Sequence, residues 1–452
     1  MPDRRVLVVG TTPDYIAYID RNYPGRALFL TEPGQRTGAR EPSPSELDEI
    51  VIDLSSVRPV LAALEDHLRK HGLRLSGIAC YDCERLGLAA QLADKLGLEY
   101  PTLQSVRTAR DKYLTKRAWT AGGVRCPRAN SVNSPDNAVQ LMRDWHRPVV
   151  LKPATGSGSE LTFLCENESE VIGAFRLVRD GLIERRDHPM FGGDRLARSS
   201  DRFVPNVLVE EYIGGVEYSA DFILDGRDVR IVRVAQKLFD PNQPFGVALG
   251  YVVPAVLPEP LNERELGLAL GRAADVLELD RAICMADFRV FNGEIVLLEL
   301  TPRIGGDCLP PLIRQASGLD TIELALRFAG RLLFELPEPE DWKRTVGVRL
   351  LAQSSGLLRA VNFRQLTGDR RILETYLKRT PGYHEVVLPP EDYDSLVLGH
   401  VIFTPATDEN LLEQCHEVAN RVEINVERCK GHGPAQADLE DHRAVRSANP
   451  SA

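Results

Sequence analysis

The first hundred residues alternate short apolar runs with amphipathic stretches. RRVLVVG, RALFLTE, EIVIDLS and LSGIACYD read as strands. Between the last two, Val57, Leu61, Leu64 and Leu68 recur at helical spacing on a segment ending at His71-Gly72. ERLGLAAQLADKLGL is a second amphipathic helix closed by a glycine. Strands alternating with helices imply parallel βαβ units and a doubly wound sheet. The first turn, Gly10-Thr-Thr-Pro, departs from GxGxxG, so a nicotinamide-type dinucleotide site gains no support there.

After Pro101 the pattern changes. A single helix carrying Arg110, Asp111, Lys112 and Lys116 is expected to run to Ala121-Gly122-Gly123. The strand PVVLKPA (148–154) then enters a glycine/serine loop, and residues 181–206, rich in Arg, Asp, Gly and Ser, read as a mobile loop. VLVEEYI and YSADFIL are strands joined by Gly214-Gly215. RIVRVAQ continues the sheet pattern, and 240–250 reads as irregular. A helix over 262–278 precedes the strands CMADFRVF and EIVLLEL, joined by Asn292-Gly293, a strong hairpin signal. GLDTIELALRFAG is helical. Pro337–Pro339 marks a linker, and 344–428 reads as a separate α+β unit. Its strands are RTVGVRLLA, HEVVLPP and LVLGHVIFT, and its helix is ENLLEQCHEVANRV. The tail from Lys430 has no core pattern and reads as disordered.

Composition narrows the class of protein. The 452 residues are 43% hydrophobic and 27% charged, as in a soluble globular chain, and 65 acidic against 55 basic side chains leave a net charge of −10. That balance, without a Lys/Arg run, argues against general nucleic-acid or anionic-membrane binding. No apolar stretch approaches the roughly 18–20 residues that span a bilayer, and the N-terminal apolar run is too short for a signal sequence. The cytoplasm is the expected location. Of 8 cysteines, only Cys80 and Cys83 form a CxxC; without a second pair they read as buried or half-buried thiols. His416-Glu417 lacks the second histidine of HExxH.

Three segments carry candidate chemistry. In Leu151-Lys152-Pro153-Ala154-Thr155-Gly156-Ser157-Gly158-Ser159-Glu160, the glycines let successive N–H groups face one way. Ser157 and Ser159 add hydroxyls and Lys152 adds charge. This suits a polyphosphate, and equally a plain hairpin tip. In Val209-Glu210-Glu211-Tyr212-Ile213-Gly214-Gly215-Val216-Glu217, a strand leaving a hinge offers backbone groups to an adenine edge, and the later acid can accept from ribose hydroxyls. A charged, solvated turn is the alternative. Asp287 and Glu299 lie on two apolar strands joined by a tight turn, where a divalent cation would relieve the cost of burying both. A salt bridge from Arg303 is the structural alternative.

In their order and spacing, Asp111-Lys112, Val150-Leu-Lys-Pro with its loop, Val209-Glu-Glu-Tyr-Ile with Glu217, and Asp287 with Glu299-Leu-Thr-Pro-Arg resemble the ATP-grasp superfamily. The resemblance covers about residues 1–330. The C-terminal unit, with Gly347-Val348 and Leu398-Gly399-His400-Val401-Ile402, resembles the extra domain of ATP-grasp carboxylate–amine ligases, L-amino-acid ligases among them. The resemblance implies an α/β and α+β fold. A Rossmann-like N-terminal domain (1–105) would precede an ATP-grasp core of two α+β subdomains (106–335, lid about 115–206). A smaller C-terminal α+β domain (336–429) and the tail (430–452) would follow.

The resemblance also implies roles. ATP and Mg²⁺, one ion or two, are the expected cofactors. Lys112 and Lys152 would contact the phosphates, with Gly156, Ser157, Gly158 and Ser159 closing over them. Glu210 and the backbone around Glu211 and Ile213 would hold adenine, with Glu217 on the ribose. Asp287 and Glu299 would bind Mg²⁺ with Thr301, which stands where the family has asparagine. Arg303 and Lys152 would be catalytic, and Arg303, Gly305, Gly306 and Lys237 would meet the substrate. The activity implied is an ADP-forming ligase that activates a small carboxylate as an acyl-phosphate and passes it to an amine, amino acids being one choice. A homodimer is left open. The alternatives are a carboxylase or formate-activating enzyme, or a catalytically silent nucleotide-binding regulator. No AMKM-like biotinylation site is present, and retention of both acids, both lysines and Arg303 speaks against a silent module.

Overall fold

A computed structural model of the chain describes residues 4–37, 39–191, 205–382, 384–386 and 396–427. The N-terminal unit forms as the apolar pattern requires. Strands β1 (Arg4–Val9), β2 (Ala27–Thr31), β3 (Glu49–Val51) and β4 (Arg74–Ala79) pair in parallel in the order β3-β2-β1-β4. Helix α1 (Pro13–Asn22), which the sequence pattern did not mark, buries only Ile16, Ala17 and Ile19. After the short turn α2 (Pro33–Arg36), helices α3 (Val57–His71) and α4 (Leu86–Leu96) end at Gly72 and Gly97, both in the left-handed region that glycine adopts without strain.

The single helix expected around Asp111 is two. Helix α5 (Leu103–Arg110) stops where Asp111 takes an extended conformation, and α6 (Lys112–Ala121) starts anew, its first N–H groups at Tyr113 and Leu114 donating to the Asp111 carboxylate. This break leaves Lys112 on the first turn of α6, facing the glycine loop.

A lid follows, built from β5 (Ala129–Val132), α7 (Pro135–Trp145), β6 (Val149–Pro153), β7 (Phe163–Cys165), α8 (Glu168–Glu184) and β8 (Val207–Glu211). Its strands form an antiparallel sheet in the order β5-β8-β6-β7, with α7 and α8 packed on one core. The loop expected over 181–206 is corrected at its start, because Gly181 and Leu182 are buried in the last turn of α8. Residues 192–204 of that segment and the tail from 428 lie outside the described residues.

Gly214-Gly215 does not close a hairpin. It carries the chain from the lid into a second sheet, passing so close to β12 (Arg281–Phe291) that a Cβ on Gly215 would lie 2.1 Å from the Val290 carbonyl oxygen. The second sheet has eight strands. It begins with β9 (Val216–Asp225), β10 (Asp228–Phe239) and β11 (Ala248–Val253), so the irregular stretch ends at Ala248, and continues through β12 and β13 (Glu294–Thr301). Asn292 and Gly293 both have positive φ in the β12–β13 turn, as the hairpin signal requires. Helix α9 (Glu263–Val276), opened by an Asn262/Glu265 capping box, covers one face. Helices α10 (Leu309–Ser317) and α11 (Thr321–Ala329) follow.

The C-terminal segment is not a separate sheet. Strands β14 (Thr345–Leu351), β16 (Ile372–Leu377) and β18 (Val397–Phe403) extend the central sheet in the order β13-β12-β9-β10-β11-β14-β18-β16, so the expected boundary at 335/336 cuts through one hydrogen-bonded layer. Only β15 (Gly356–Asn362), β17 (Glu385–Val386) and β19 (Glu423–Glu427) stand apart, as a three-stranded sheet beside helix Leu411–Asn420. Of the expected strand HEVVLPP, only Glu385–Val386 falls among the described residues as strand. No helix among the described residues is long and apolar enough to cross a membrane.

Glu374 on β16 ties this extension to α10. It lies 3.8 Å from the His400 ring, accepts from Gln315 at 2.9 Å and stands 3.5 Å from Arg314. The His400 contact, the Gln315 hydrogen bond and the Arg314 charge outweigh half-burial and hold its carboxyl at about 2, below the ordinary 4.5. A depressed carboxyl contributes stability above its unfolded pKa that is lost as pH falls through the folded one. Glu374→Gln should therefore lower the melting temperature by about 1–3 °C at neutral pH. Thermal melts across pH should show the two proteins converging between about 4.5 and 2; a gap that persists at pH 2 would assign the loss to packing.

Candidate active site

The lid, the N-terminal unit and both halves of the central sheet enclose one cleft of 760 Å³. The glycine loop forms its roof. Gly156 (φ 133) and Gly158 (φ 70) take conformations closed to most side chains, and a Cβ on Gly156 would sit 3.0 Å from the Phe191 ring. Lys112 donates to the Gly156 carbonyl at 2.7 Å, its own N–H reaches the Ala154 carbonyl at 2.8 Å, and the Ser159 hydroxyl donates to the Gly246 carbonyl at 2.9 Å. The loop is thus tied on one side to α6 and on the other to the turn before β11.

Behind the loop lies a buried charge cluster. Lys152 on β6 donates to one oxygen of Glu210 at 3.0 Å, and Lys116 on α6 stands 3.3 Å from the other. Lys116, which the pattern marked only as a helix residue, is 1% exposed, and burial pushes its ammonium pKa down. Burial pushes the Glu210 carboxyl up, but the charges of Lys116 and Lys152 prevail and hold it below its ordinary value. Glu211, one residue on and therefore on the opposite face of β8, turns away to Arg128 (2.9 Å) and Arg147 (3.5 Å). The Ile213 carbonyl accepts from Arg289 at 2.6 Å, and the same guanidinium grips Glu217 at 2.9–3.0 Å. Lys237 bonds Glu217 from the other side at 2.9 Å, so Glu217 stays ionised in spite of burial.

The β12–β13 register places Asp287 directly across from Glu299. Asp287 accepts from Lys237 at 2.7 Å through one oxygen, while the other, Oδ1, is buried with no hydrogen-bond partner among the described residues. Glu299 lies 3.5 Å from Lys112. Burial and the charges of Glu299 and Glu217 push Asp287 up to about 6, against the pull of Lys237. Burial would raise Glu299 as well, but Lys112, Lys237 and Lys152 together hold it at about 2. Two opposed carboxylates, one with a buried unpartnered oxygen, are a donor set that fits a hard divalent cation. No group of three or more His, Cys, Asp or Glu suited to a metal occurs among the described residues. Thr301 pairs across the hairpin with Met285; Met285 lines the cleft, and Thr301 does not.

The far end of the cleft is built by Arg303. Its Nε donates to the Cys83 sulfur at 2.9 Å and its Nη1 to the Ile304 carbonyl at 2.6 Å, so neither Asp287 nor Glu299 holds it. Cys83, read from sequence as a buried or half-buried thiol, is a half-buried residue of this wall. Asp82, Glu84 and Asp14 stand nearby. Burial, then the Glu84 and Asp14 charges, push Asp82 up to about 7 against Arg303 and Arg85. Gly306 lines the cleft, whereas Gly305 is buried behind it, its N–H donating to Asp221 at 3.0 Å. Asp221 is itself clamped by Arg233 through two bonds of 2.9 and 3.0 Å, both side chains at most 1% exposed. A Cβ on Gly305 would lie 2.6 Å from that guanidinium, which explains the glycine.

Comparison with known proteins points the same way. Residues 145–311 match the ATP-grasp domain. The D-alanine–D-alanine ligase of Acidovorax ebreus is 27% identical over 289 residues, 61% of this chain and 80% of the ligase. The uncharacterized protein y4rH of Sinorhizobium fredii is 26% identical over 239 residues, 53% of this chain, and there the match spans 45% of the relative's length. The crystal structure of an L-amino acid ligase from Bacillus licheniformis superposes with a TM-score of 0.70 at 14% identity, covering 95% of this chain and 100% of the other. Residues 145–311 thus match an ATP-grasp domain, and the chain shares its fold with the L-amino acid ligase structure.

Proposed function

We propose that the chain is an ATP-dependent, ADP-forming ligase that joins a small carboxylate to an amine. One observation carries this reading: a glycine/serine loop flanked by lysines, an opposed carboxylate pair and a well-anchored arginine all line a single cleft. A carboxylate is a poor electrophile, and bringing it to ATP sets like charges together, at about 4 kcal/mol per unit pair at 4 Å with an effective dielectric of 20. The cleft supplies the compensating charge.

In this reading Lys112 and Lys152 hold the phosphates and the loop of Gly156, Ser157, Gly158 and Ser159 covers them. Glu210 and the backbone of Glu211 and Ile213 border the adenine, and Glu217 takes the ribose. Asp287 and Glu299 would hold Mg²⁺, which when bound would neutralise charge on the transferring phosphoryl group. Arg303 orients the carboxylate, whose oxygen attacks the terminal phosphorus as ADP leaves. The amine nitrogen then attacks the acyl carbon, phosphate departs, and the amine loses a proton. The acidic groups Asp14, Asp82 and Glu84 beside Arg303 give this end both signs of charge, as a carboxylate and an amine require. The loop, latched to Gly246 by Ser159, keeps water from the activated acid.

Three measurements test this. Incubating amino-acid pairs and small carboxylates with ATP should release ADP and phosphate; AMP release would identify an adenylating enzyme and overturn the mechanism. Glu299→Gln should cut ADP-forming turnover by at least about 100-fold. Its metal-free melting temperature should fall as well, because the carboxylate that Lys112, Lys237 and Lys152 hold at about 2 contributes stability at neutral pH, so turnover is compared at a temperature where both proteins are folded. Wild-type turnover in that variant would end the argument for a metal at this pair. Strand alternation puts Thr301 on the face of Glu299, so Thr301→Val should raise the Mg²⁺ concentration for half-activity; an unchanged value would leave Thr301 a structural residue.

A further inference from the structure

Lys237 is engaged in a way that its expected role as a substrate ligand does not explain. It lies on β10, and its ammonium donates both to Glu217 Oε1 at 2.9 Å and to Asp287 Oδ2 at 2.7 Å, spanning β9 to reach β12. The two acceptors are not equivalent. Glu217 holds a second cation, Arg289, at 2.9 Å, and keeps it whether or not the lysine stays. For Asp287, Lys237 is the one cation at ion-pairing distance among the described residues, and the acids Glu299 and Glu217 stand close by. Lys237 therefore offsets the charge of a carboxylate that the unliganded protein would otherwise bury beside two others.

A lysine suits an exchange at that position. Its ammonium is a compact charge on a flexible four-carbon stem, without the fixed planar fork of arginine. It can leave Asp287 and remain on Glu217 with little movement of the backbone. A divalent cation at Asp287 and Glu299 would meet that ammonium as a like charge, and the two would compete for the same carboxylate, the lysine holding Oδ2 beside the unpartnered Oδ1.

We propose that Lys237 is a positioning residue, a tethered counter-ion that holds Asp287 in the ligand-free protein and yields its carboxylate to the incoming divalent cation. This rests on the reading of Asp287 and Glu299 as the Mg²⁺ pair. It makes two effects of one side chain run in opposite directions: stability without metal, and affinity for metal. A merely structural lysine would move both the same way.

The test is thermal melting and calorimetry of the full chain, with Mg²⁺ titrated at fixed ADP. Lys237→Met should lower the melting temperature in EDTA, yet need on the order of tenfold less Mg²⁺ for half of the ADP-dependent stabilisation. Lys237→Arg, which keeps the charge, should restore both values toward wild type. Lys237→Gln, which keeps a polar head without the charge, should behave as the methionine variant and replaces it where that folds poorly. An uncharged variant needing as much Mg²⁺ as wild type, or more, would overturn the proposal while leaving the metal pair intact. Wild-type protein that gains no stability from Mg²⁺ and ADP together would overturn the nucleotide reading, and this inference with it.

Discussion

A buried carboxylate must be matched by positive charge, and in this chain that constraint shapes the whole cleft. Five acids of the central sheet and lid meet it in different ways. Asp221 is locked by Arg233, Glu210 is shared by two lysines, Glu217 by a lysine and an arginine, and Glu299 by Lys112. Asp287 leaves one oxygen bare. The matched acids rigidify the walls, and the mismatched one is where a cation from solution is wanted. Structural and functional charge are thus told apart by their surplus, not by their burial.

The locked pair also sets the substrate end. Asp221 and Arg233 join β9 to β10 and reach the backbone of Gly305, which fixes the segment that follows Arg303. The guanidinium then crosses to Cys83 in the N-terminal unit. Central sheet, arginine and N-terminal unit are connected through the buried Asp221–Arg233 pair and the half-buried Arg303 and Cys83. The lid has a lighter attachment. Besides the Gly214-Gly215 crossover, its roof is held by a few hydrogen bonds to α6 and to Gly246.

Much of the fold was legible because local rules sufficed. Strands β1 and β2 carry the apolar runs VLVV and ALFL, Gly72 and Gly97 end helices, and Asn292-Gly293 turns a hairpin; that turn is what brings Asp287 opposite Glu299. The failures have a common cause. Asp111 looked like one more polar helix residue because capping depends on a break that periodicity does not reveal. The C-terminal strands were read as a separate unit because partner choice across β11 and β14 is tertiary. Lys116 and Cys83 owe their roles to residues far along the chain, Glu210 and Arg303, and no window of sequence contains those contacts.

The bond between Arg303 and Cys83 spans 220 residues. The carboxylate pair, by contrast, sits on adjacent strands of one hairpin, and the loop and its lysines lie within a short stretch of chain. Closing a long loop costs more entropy, and slow folding follows contacts between distant residues. The two ends of the cleft should therefore mature at different times as the chain folds. The glycine loop with its lysines and the β12–β13 hairpin can organise within the middle of the chain, whereas the Arg303 end waits for the N-terminal unit to dock.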